Sequence, residues 1–208
     1  MSGGEVKHPG LNLGSTDTQT HEQAEGDVFG FWVFLMSDAV MFALLFAIYG
    51  TMVAATAGGP SPASAYKFGP TFAETLVLLT SSLTFGMASI AVKYEASRPV
   101  LLGWLVVTLT LGLAFLGLEF HDFSTMIDNG AYPARSGFLS SFFALVPLHG
   151  LHVLAGCIWL AVMMVQLQAF GLDARVKINL LRLGLFWHFL DIVWIAIFSV
   201  VYLQGLIR

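Results

Sequence analysis

Long apolar runs, separated by short polar segments, make up most of the chain. Each run has the length that an α-helix needs, at about 1.5 Å per residue, to cross a hydrocarbon core of about 30 Å. Continuous runs of this length indicate helices, because backbone polar groups cannot stay unpaired in lipid and barrel strands are shorter and alternate. We therefore predict an all-α polytopic membrane protein, a bundle of five transmembrane helices near residues 29–54, 68–92, 99–120, 137–169 and 179–205.

The first 27 residues differ from the rest of the chain. They contain five acidic side chains and few apolar residues, and Lys7 is the single Lys or Arg among them. Segments of this composition cannot bury enough apolar surface to fold alone. No basic start followed by an apolar signal core precedes Phe29, so the first spanning helix is expected to direct insertion. We predict a disordered cytoplasmic tail over 1–27 and one five-helix transmembrane domain over 28–208.

Composition and charge narrow the class of protein further. The 208 residues are 57% hydrophobic and only 11% charged, which excludes an ordinary soluble domain. The formal net charge of −4 provides no basic surface, so no nucleic-acid partner is expected. The single cysteine, Cys157, excludes an intrachain disulfide.

The distribution of Lys and Arg predicts the orientation in the membrane. Six of these residues fall on the side of the N-terminus and three on the other side. Since cytoplasmic loops carry the excess of Lys and Arg, the N-terminus is predicted in the cytoplasm and the C-terminus in the periplasm.

Ionisable side chains interrupt every one of the five runs. At membrane depth such groups usually face a protein partner, water or a functional site. These candidate site residues are Asp38, Glu74, Glu119, His149, His152, His188 and Asp191.

Helical spacing predicts how these residues are grouped. His149 and His152 are three residues apart, as are His188 and Asp191, so each pair shares one helix face. We expect the two polar faces to meet and to tie the fourth helix to the fifth. At the helical rise per residue, Asp38 and His188 lie about 14 Å from the cytoplasmic ends of their runs. This depth predicts a His/Asp cluster near mid-membrane. Glu74 and Glu119 fall toward the outer ends of their helices.

Three classes of function fit these residues. Histidines and carboxylates in a bundle can hold haem or iron, which predicts an oxidoreductase using His149, His152 and His188, although the paired Glu-x-x-His motifs of di-iron bundles are absent from this sequence. Asp38 alone in an apolar helix also suits a proton-conducting transporter, although no paired halves repeat. The third interpretation is structural, with each polar group hydrogen-bonded to a neighbouring helix.

Four segments carry a resemblance to a known family. Together they resemble subunit III of haem-copper respiratory oxidases, most closely the branch of cytochrome bo-type ubiquinol oxidases. The segments run from Phe29 to Asp38, from Arg135 to Phe138, from Pro147 to Val153 and from Trp187 to Asp191. The His-Gly-x-His-Val and Trp-His-Phe-x-Asp motifs are the most specific of them.

The resemblance implies an accessory subunit with no catalytic residue, cofactor or metal of its own. Haem and copper are expected in the large catalytic subunit I, with subunits II and IV as further partners, in a bacterial inner-membrane enzyme that oxidises ubiquinol, reduces oxygen and pumps protons. Cytochrome c oxidase relatives usually have two more N-terminal helices and Glu where this chain has Asp38, so these differences fit the quinol oxidase branch. The family position of Asp38 is associated with sustained proton uptake, and bound phospholipid is expected in a cleft. The remaining candidates are expected to support the structure and assembly.

Overall fold

The computed structural model describes residues 18–62, 66, 68–94 and 97–207. Within them, five helices are long and apolar enough to cross a membrane, which confirms the predicted all-α fold. They are α1 (Thr18–Met52), α2 (Phe68–Lys93), α3 (Arg98–Asp128), α4 (Gly137–Phe170) and α5 (Ala174–Ile197). The last helix continues as a π-helical segment, Phe198–Leu203, and a final turn, Gln204–Ile207.

Three helices, α1, α3 and α5, extend beyond the predicted apolar runs, and α5 begins at Ala174 rather than at 179. Helix α1 begins at Thr18, so residues 18–27 of the predicted disordered tail are helical. Its Gln, Ala and Glu residues favour helix and no proline interrupts the segment. Residues 1–17 of that tail lie outside the described residues. Helix α3 continues to Asp128, past the predicted end at 120, because its polar last turns contain neither glycine nor proline. Hydropathy predicts the point at which a chain leaves the lipid. A helix can continue beyond that point, because its end depends on the backbone conformation.

Helix α5 packs against three other helices and is the most buried span of the bundle. Helix α2 packs against α3 and α5, α4 packs against α3 and α5, and α1 packs against α4 and α5. Helix α1 is the least buried of the five spans. The fully buried core includes Phe85, Leu105, Phe115, Phe142, Leu145 and Trp194.

Glycines let the indole ring of Trp187 lie at the middle of the bundle. A Cβ added at Gly112 of α3 would lie 2.9 Å from this ring, and one added at Gly156 of α4 would lie 3.2 Å from it. The ring also stacks on Phe85 of α2, with centroids 6.2 Å apart. Small residues thus permit the close packing of three helices around one aromatic side chain, which fixes the rotation of α5.

The ends of the helices are held by local contacts. The Ser136 hydroxyl caps α4 by accepting a hydrogen bond from the backbone N–H of Leu139 at 3.2 Å. The backbone N–H of Phe138 donates to the carbonyl of Ala55 at 3.2 Å, which joins α4 to the α1–α2 connection. Burial raises the pKa of Tyr66 well above its ordinary value, so this phenol stays protonated beside the hydroxyl of Tyr49, 3.2 Å away.

Candidate functional site: polar side chains between the helices

His152 of α4 meets Asp38 of α1. The Nε2 atom of His152 lies 3.4 Å from Oδ1 of Asp38. Its Nδ1 atom lies 2.7 Å from the backbone carbonyl oxygen of Leu148, one turn earlier in the same helix. A carbonyl oxygen can only accept, so Nδ1 carries a proton and donates it. Nε2 is then the ring nitrogen that faces Asp38, and a proton in this contact can lie on Nε2 or on the carboxyl group.

The surroundings of this pair are mostly buried. The Asp38 side chain is 9% exposed and the His152 side chain 22% exposed. The second oxygen of Asp38, Oδ2, is buried and has no hydrogen-bond partner among the described residues. Phe42 of α1 packs edge-on against the His152 ring, with centroids 5.3 Å apart. The pair is thus an apolar-walled acid–base contact between two helices.

His149 has a different environment, although it shares a helix face with His152. It is completely buried, and its ring stacks on Trp194 of α5 with centroids 5.3 Å apart. Phe42 and Phe115 approach the ring edge-on. Neither ring nitrogen has a hydrogen-bond partner among the described residues. His149 therefore acts in the packing of α4 against α5.

His188 and Asp191 of α5 are joined through Ser82 of α2. The Ser82 hydroxyl lies 2.8 Å from Nδ1 of His188, and it also hydrogen-bonds the carboxyl group of Asp191. Asp191 is 8% exposed, and its Oδ1 has no hydrogen-bond partner among the described residues. The three side chains form a short hydrogen-bonded chain on the α2–α5 face.

Glu74 of α2 and Glu119 of α3 form a separate buried group. They are 1% and 4% exposed, and their carboxyl groups are close enough to interact electrostatically. Gly150 of α4 makes room for the group, since a Cβ added there would lie 2.5 Å from Oε2 of Glu119. Each carboxyl has one oxygen without a hydrogen-bond partner among the described residues. The structure therefore places both acids inside the bundle.

The polar faces of α4 and α5 do not pair as expected. Nε2 of His152 lies against Asp38 on α1, and Nδ1 of His188 lies against Ser82 on α2. The contacts of the α4 histidines with α5 are between rings: His149 stacks on Trp194, and His152 lies against Phe186 with centroids 6.5 Å apart. Spacing identifies residues on one helix face but not the helix that the face meets, so the polar contacts expected between α4 and α5 are made with α1 and α2 instead.

Sequence reasoning also missed the hydroxyl groups of α2. The indole N–H of Trp187 donates to Oγ of Ser81 at 3.1 Å, and the indole N–H of Trp194 donates to Oγ1 of Thr75 at 3.1 Å. Serine and threonine are common in membrane helices and often bond their own backbone, which is why they gave no clear signal. The pairing of two buried tryptophans with α2 hydroxyls is visible only in the folded chain.

Comparison with known proteins shows which family the chain belongs to. Residues 13–206 match the family described as Cytochrome c oxidase subunit III. The chain belongs to this family. Among curated relatives, the Cytochrome bo(3) ubiquinol oxidase subunit 3 of Pseudomonas aeruginosa is 46% identical over 193 residues, which cover 93% of this chain and 92% of that protein.

Two other relatives are similar over nearly the whole chain. The protein of the same name from Pseudomonas putida is 46% identical, covering 90% of this chain and 90% of its own length. The Quinol oxidase subunit 3 of Bacillus subtilis is 37% identical, covering 86% of this chain and 88% of its own length. The chain is thus an accessory subunit III of a haem-copper oxidase.

Family membership decides between the classes of function left open by the sequence. Subunits III of this family lack redox centres, which favours the accessory interpretation over a haem- or iron-binding role for His149, His152 and His188. The chain is a multi-pass membrane protein that works within a complex of several subunits.

Proposed function

We propose that this subunit III serves a cytochrome bo-type ubiquinol oxidase. That enzyme oxidises ubiquinol, reduces oxygen to water and pumps protons in the aerobic respiratory chain. The observation that carries the proposal is the 46% identity, over more than nine-tenths of both chains, to a protein named as that subunit. In this proposal subunit III performs no redox step itself and contributes to assembly, stability and sustained proton uptake.

The partners follow from the same proposal. Haem and copper lie in the large catalytic subunit I, and subunits II and IV complete the complex. The chain lies in a bacterial inner membrane with its N-terminus in the cytoplasm and its C-terminus in the periplasm. Phospholipid binds along its apolar outer surface, where side chains such as Phe29, Leu44 and Val165 are more than 60% exposed.

Asp38 and His152 provide the residue-level basis for a role in proton uptake. One proton can be shared between the carboxylate oxygen and the imidazole Nε2 atom at 3.4 Å, while Nδ1 stays bonded to a carbonyl. Buried carboxylates and histidines in this arrangement form relays in membrane proteins. The same pair also joins α1 to α4, so it supports both the proton-related and the structural parts of the proposal.

Glu74, Glu119, His149, His188 and Asp191 have a structural role in this proposal. They lie between helices or on the α2–α5 face. The hydrogen bonds of His188 and Asp191 to Ser82 contribute on the order of 0.6 kcal/mol each, and His149 contributes through its ring contacts instead.

Purification from native membranes tests the proposed function. The chain is isolated in mild detergent, its companions are identified by mass spectrometry, and the reduced-minus-oxidised spectrum is recorded. We expect a larger haem-bearing subunit at equal stoichiometry and haem that stays with that subunit when this chain is stripped away. A chain that purifies alone, with or without bound haem, would contradict the proposal.

A further inference from the structure

An open groove lies on the outer surface between α2 and α5. Its volume is about 410 Å³, and its lining includes Ser82, Leu83, Gly86, Ile90, His188 and Asp191. Ser82 and Gly86 are one helical turn apart, so the α2 side of the groove is shallow. Such a small-xxx-small pair lets a second transmembrane helix come close to the backbone. We call this feature the Ser82 groove.

The base of the Ser82 groove is polar at mid-membrane depth. Ser82 lies about 17 Å along its helix from Lys93, and His188 about 20 Å from Arg175. Asp191 is more than nine-tenths buried beneath the groove, with Oδ1 unpaired among the described residues. His188 is exposed, and its Nδ1 is already bonded to Ser82, so Nε2 is the ring nitrogen left for another partner.

The walls of the groove match a hydrocarbon environment. Leu83 is 68% exposed, Ile90 50% and Met87 39%. Lipid tails could cover these side chains but offer no hydrogen bond to the imidazole or the carboxyl group. At this depth an ionisable group without such a partner is costly. A small-residue surface with a polar base therefore requires a protein helix rather than lipid.

We propose that the Ser82 groove is the docking site for a transmembrane helix of another oxidase subunit. That helix presents small residues opposite Gly86 and a hydroxyl or carboxamide side chain opposite His188. A hydroxyl or carboxamide can either donate or accept, so it completes the hydrogen bonding of Nε2 in either tautomer. The inference rests on the proposed function, because it takes the partner from the oxidase complex.

Photo-crosslinking in the intact complex identifies the occupant. Benzoylphenylalanine replaces Leu83, native membranes are irradiated, and the crosslinked product is analysed by mass spectrometry. We expect capture of a transmembrane segment of another oxidase subunit. Capture of lipid alone, or of a second copy of this chain, overturns the proposal.

A matched pair of glycine substitutions tests the fit of the helix. A Cβ at Gly86 or at Gly103 meets no atom within 4 Å, so both positions have open space where the side chain of Gly86→Leu or Gly103→Leu begins. They lie at similar depth, about 10 Å from Lys93 and about 8 Å from Arg98. We expect Gly86→Leu to lower the ratio of this chain to the haem-bearing subunit about tenfold, and Gly103→Leu to leave it unchanged.

The outcomes separate this proposal from the proposed function. If the unmodified chain does not purify with a haem-bearing subunit, the proposed function itself fails. If the unmodified chain does so, and Gly86→Leu is retained equally well, the accessory function stands and the Ser82 groove is not the docking site.

Discussion

The imidazole of His152 has an acceptor beside each of its nitrogens, and this limits where its protons can lie. The Leu148 carbonyl requires a proton on Nδ1, so a proton held in the contact between Nε2 and Asp38 lies either on the imidazole, as an imidazolium beside a carboxylate, or on the acid beside a neutral histidine. At the scale of residues, this is the contact in the described structure best suited to proton exchange.

Asp38→Ala removes the acid from this contact. We expect the affinity for quinol to be unchanged, because no quinol site is assigned to this chain. Inactivation during turnover should be faster, and the free energy of unfolding should fall by about 1 kcal/mol. The measurements are the KM for quinol, the decay of steady-state turnover and denaturation in SDS.

Ser37→Ala is the control for that substitution. The Ser37 hydroxyl bonds the carbonyl of Val33 in its own helix, so its loss should change neither turnover nor retention of the subunit. Turnover of Asp38→Ala that decays no faster than that of Ser37→Ala would leave Asp38 with a structural role only.

Gly112→Ala tests the packing around Trp187. The added Cβ would lie 2.9 Å from the buried indole and 3.0 Å from Sγ of Cys157. The ring cannot move aside easily, because it is stacked on Phe85 and bonded to Ser81. We expect a loss of about 1–3 kcal/mol in the free energy of unfolding, measured in detergent.

Gly117→Ala, five residues later on the exposed side of α3, provides the comparison. Its Cβ meets nothing within 4 Å, so the substitution should be neutral or slightly stabilising through helix propensity. Equal stability of the two variants would mean that Gly112 is not needed for the position of Trp187.

Helices α2 and α5 are joined by a row of side-chain hydrogen bonds. Ser81 pairs with Trp187, Ser82 with His188, and Thr75 with Trp194 further along. From Thr75 to Ser81 on α2, the partner on α5 goes back from Trp194 to Trp187, as expected for antiparallel neighbours. At the scale of elements, hydroxyl groups on α2 set the register of α5, because a shift of one residue would break all three contacts.

A double-mutant cycle measures one contact in this row. Trp194→Phe keeps an aromatic ring but removes the indole N–H, and Thr75→Ala removes its acceptor. We expect each single variant to lower stability and the pair to show a coupling energy on the order of 0.6 kcal/mol. Additive effects would indicate that the hydrogen bond does not contribute to the α2–α5 contact.

The orientation of the whole chain in the membrane can be tested by cysteine labelling. Cys157, the single cysteine, is 2% exposed, so it should give little background with a membrane-impermeant maleimide. We expect Tyr132→Cys, in the α3–α4 connection, to react in intact spheroplasts. Tyr94→Cys, after α2, should react only after permeabilisation. The reverse pattern would place the N-terminus in the periplasm.

The accuracy of the predicted helix limits differed from helix to helix. The limits of α2 and α4 agree with their apolar runs to within one residue, because turn residues flank both runs. Helices α1 and α3 continue into polar segments, where hydropathy no longer marks helix. The candidate residues are indeed placed between helices or at the α2–α5 face, yet the partners of His152 and His188 could not be read from spacing.

The class of this protein, its five membrane-spanning helices and its family motifs all follow from the sequence. These depend on the composition of local segments, since lipid requires long apolar helices wherever it is crossed. The tertiary structure alone decided which polar side chains meet, as in the pairing of His152 with Asp38 and of His188 with Ser82. The physical reason is that helical periodicity fixes positions around one axis, whereas the rotation of each helix depends on close packing with its neighbours, here around Trp187 and the glycines of α3 and α4.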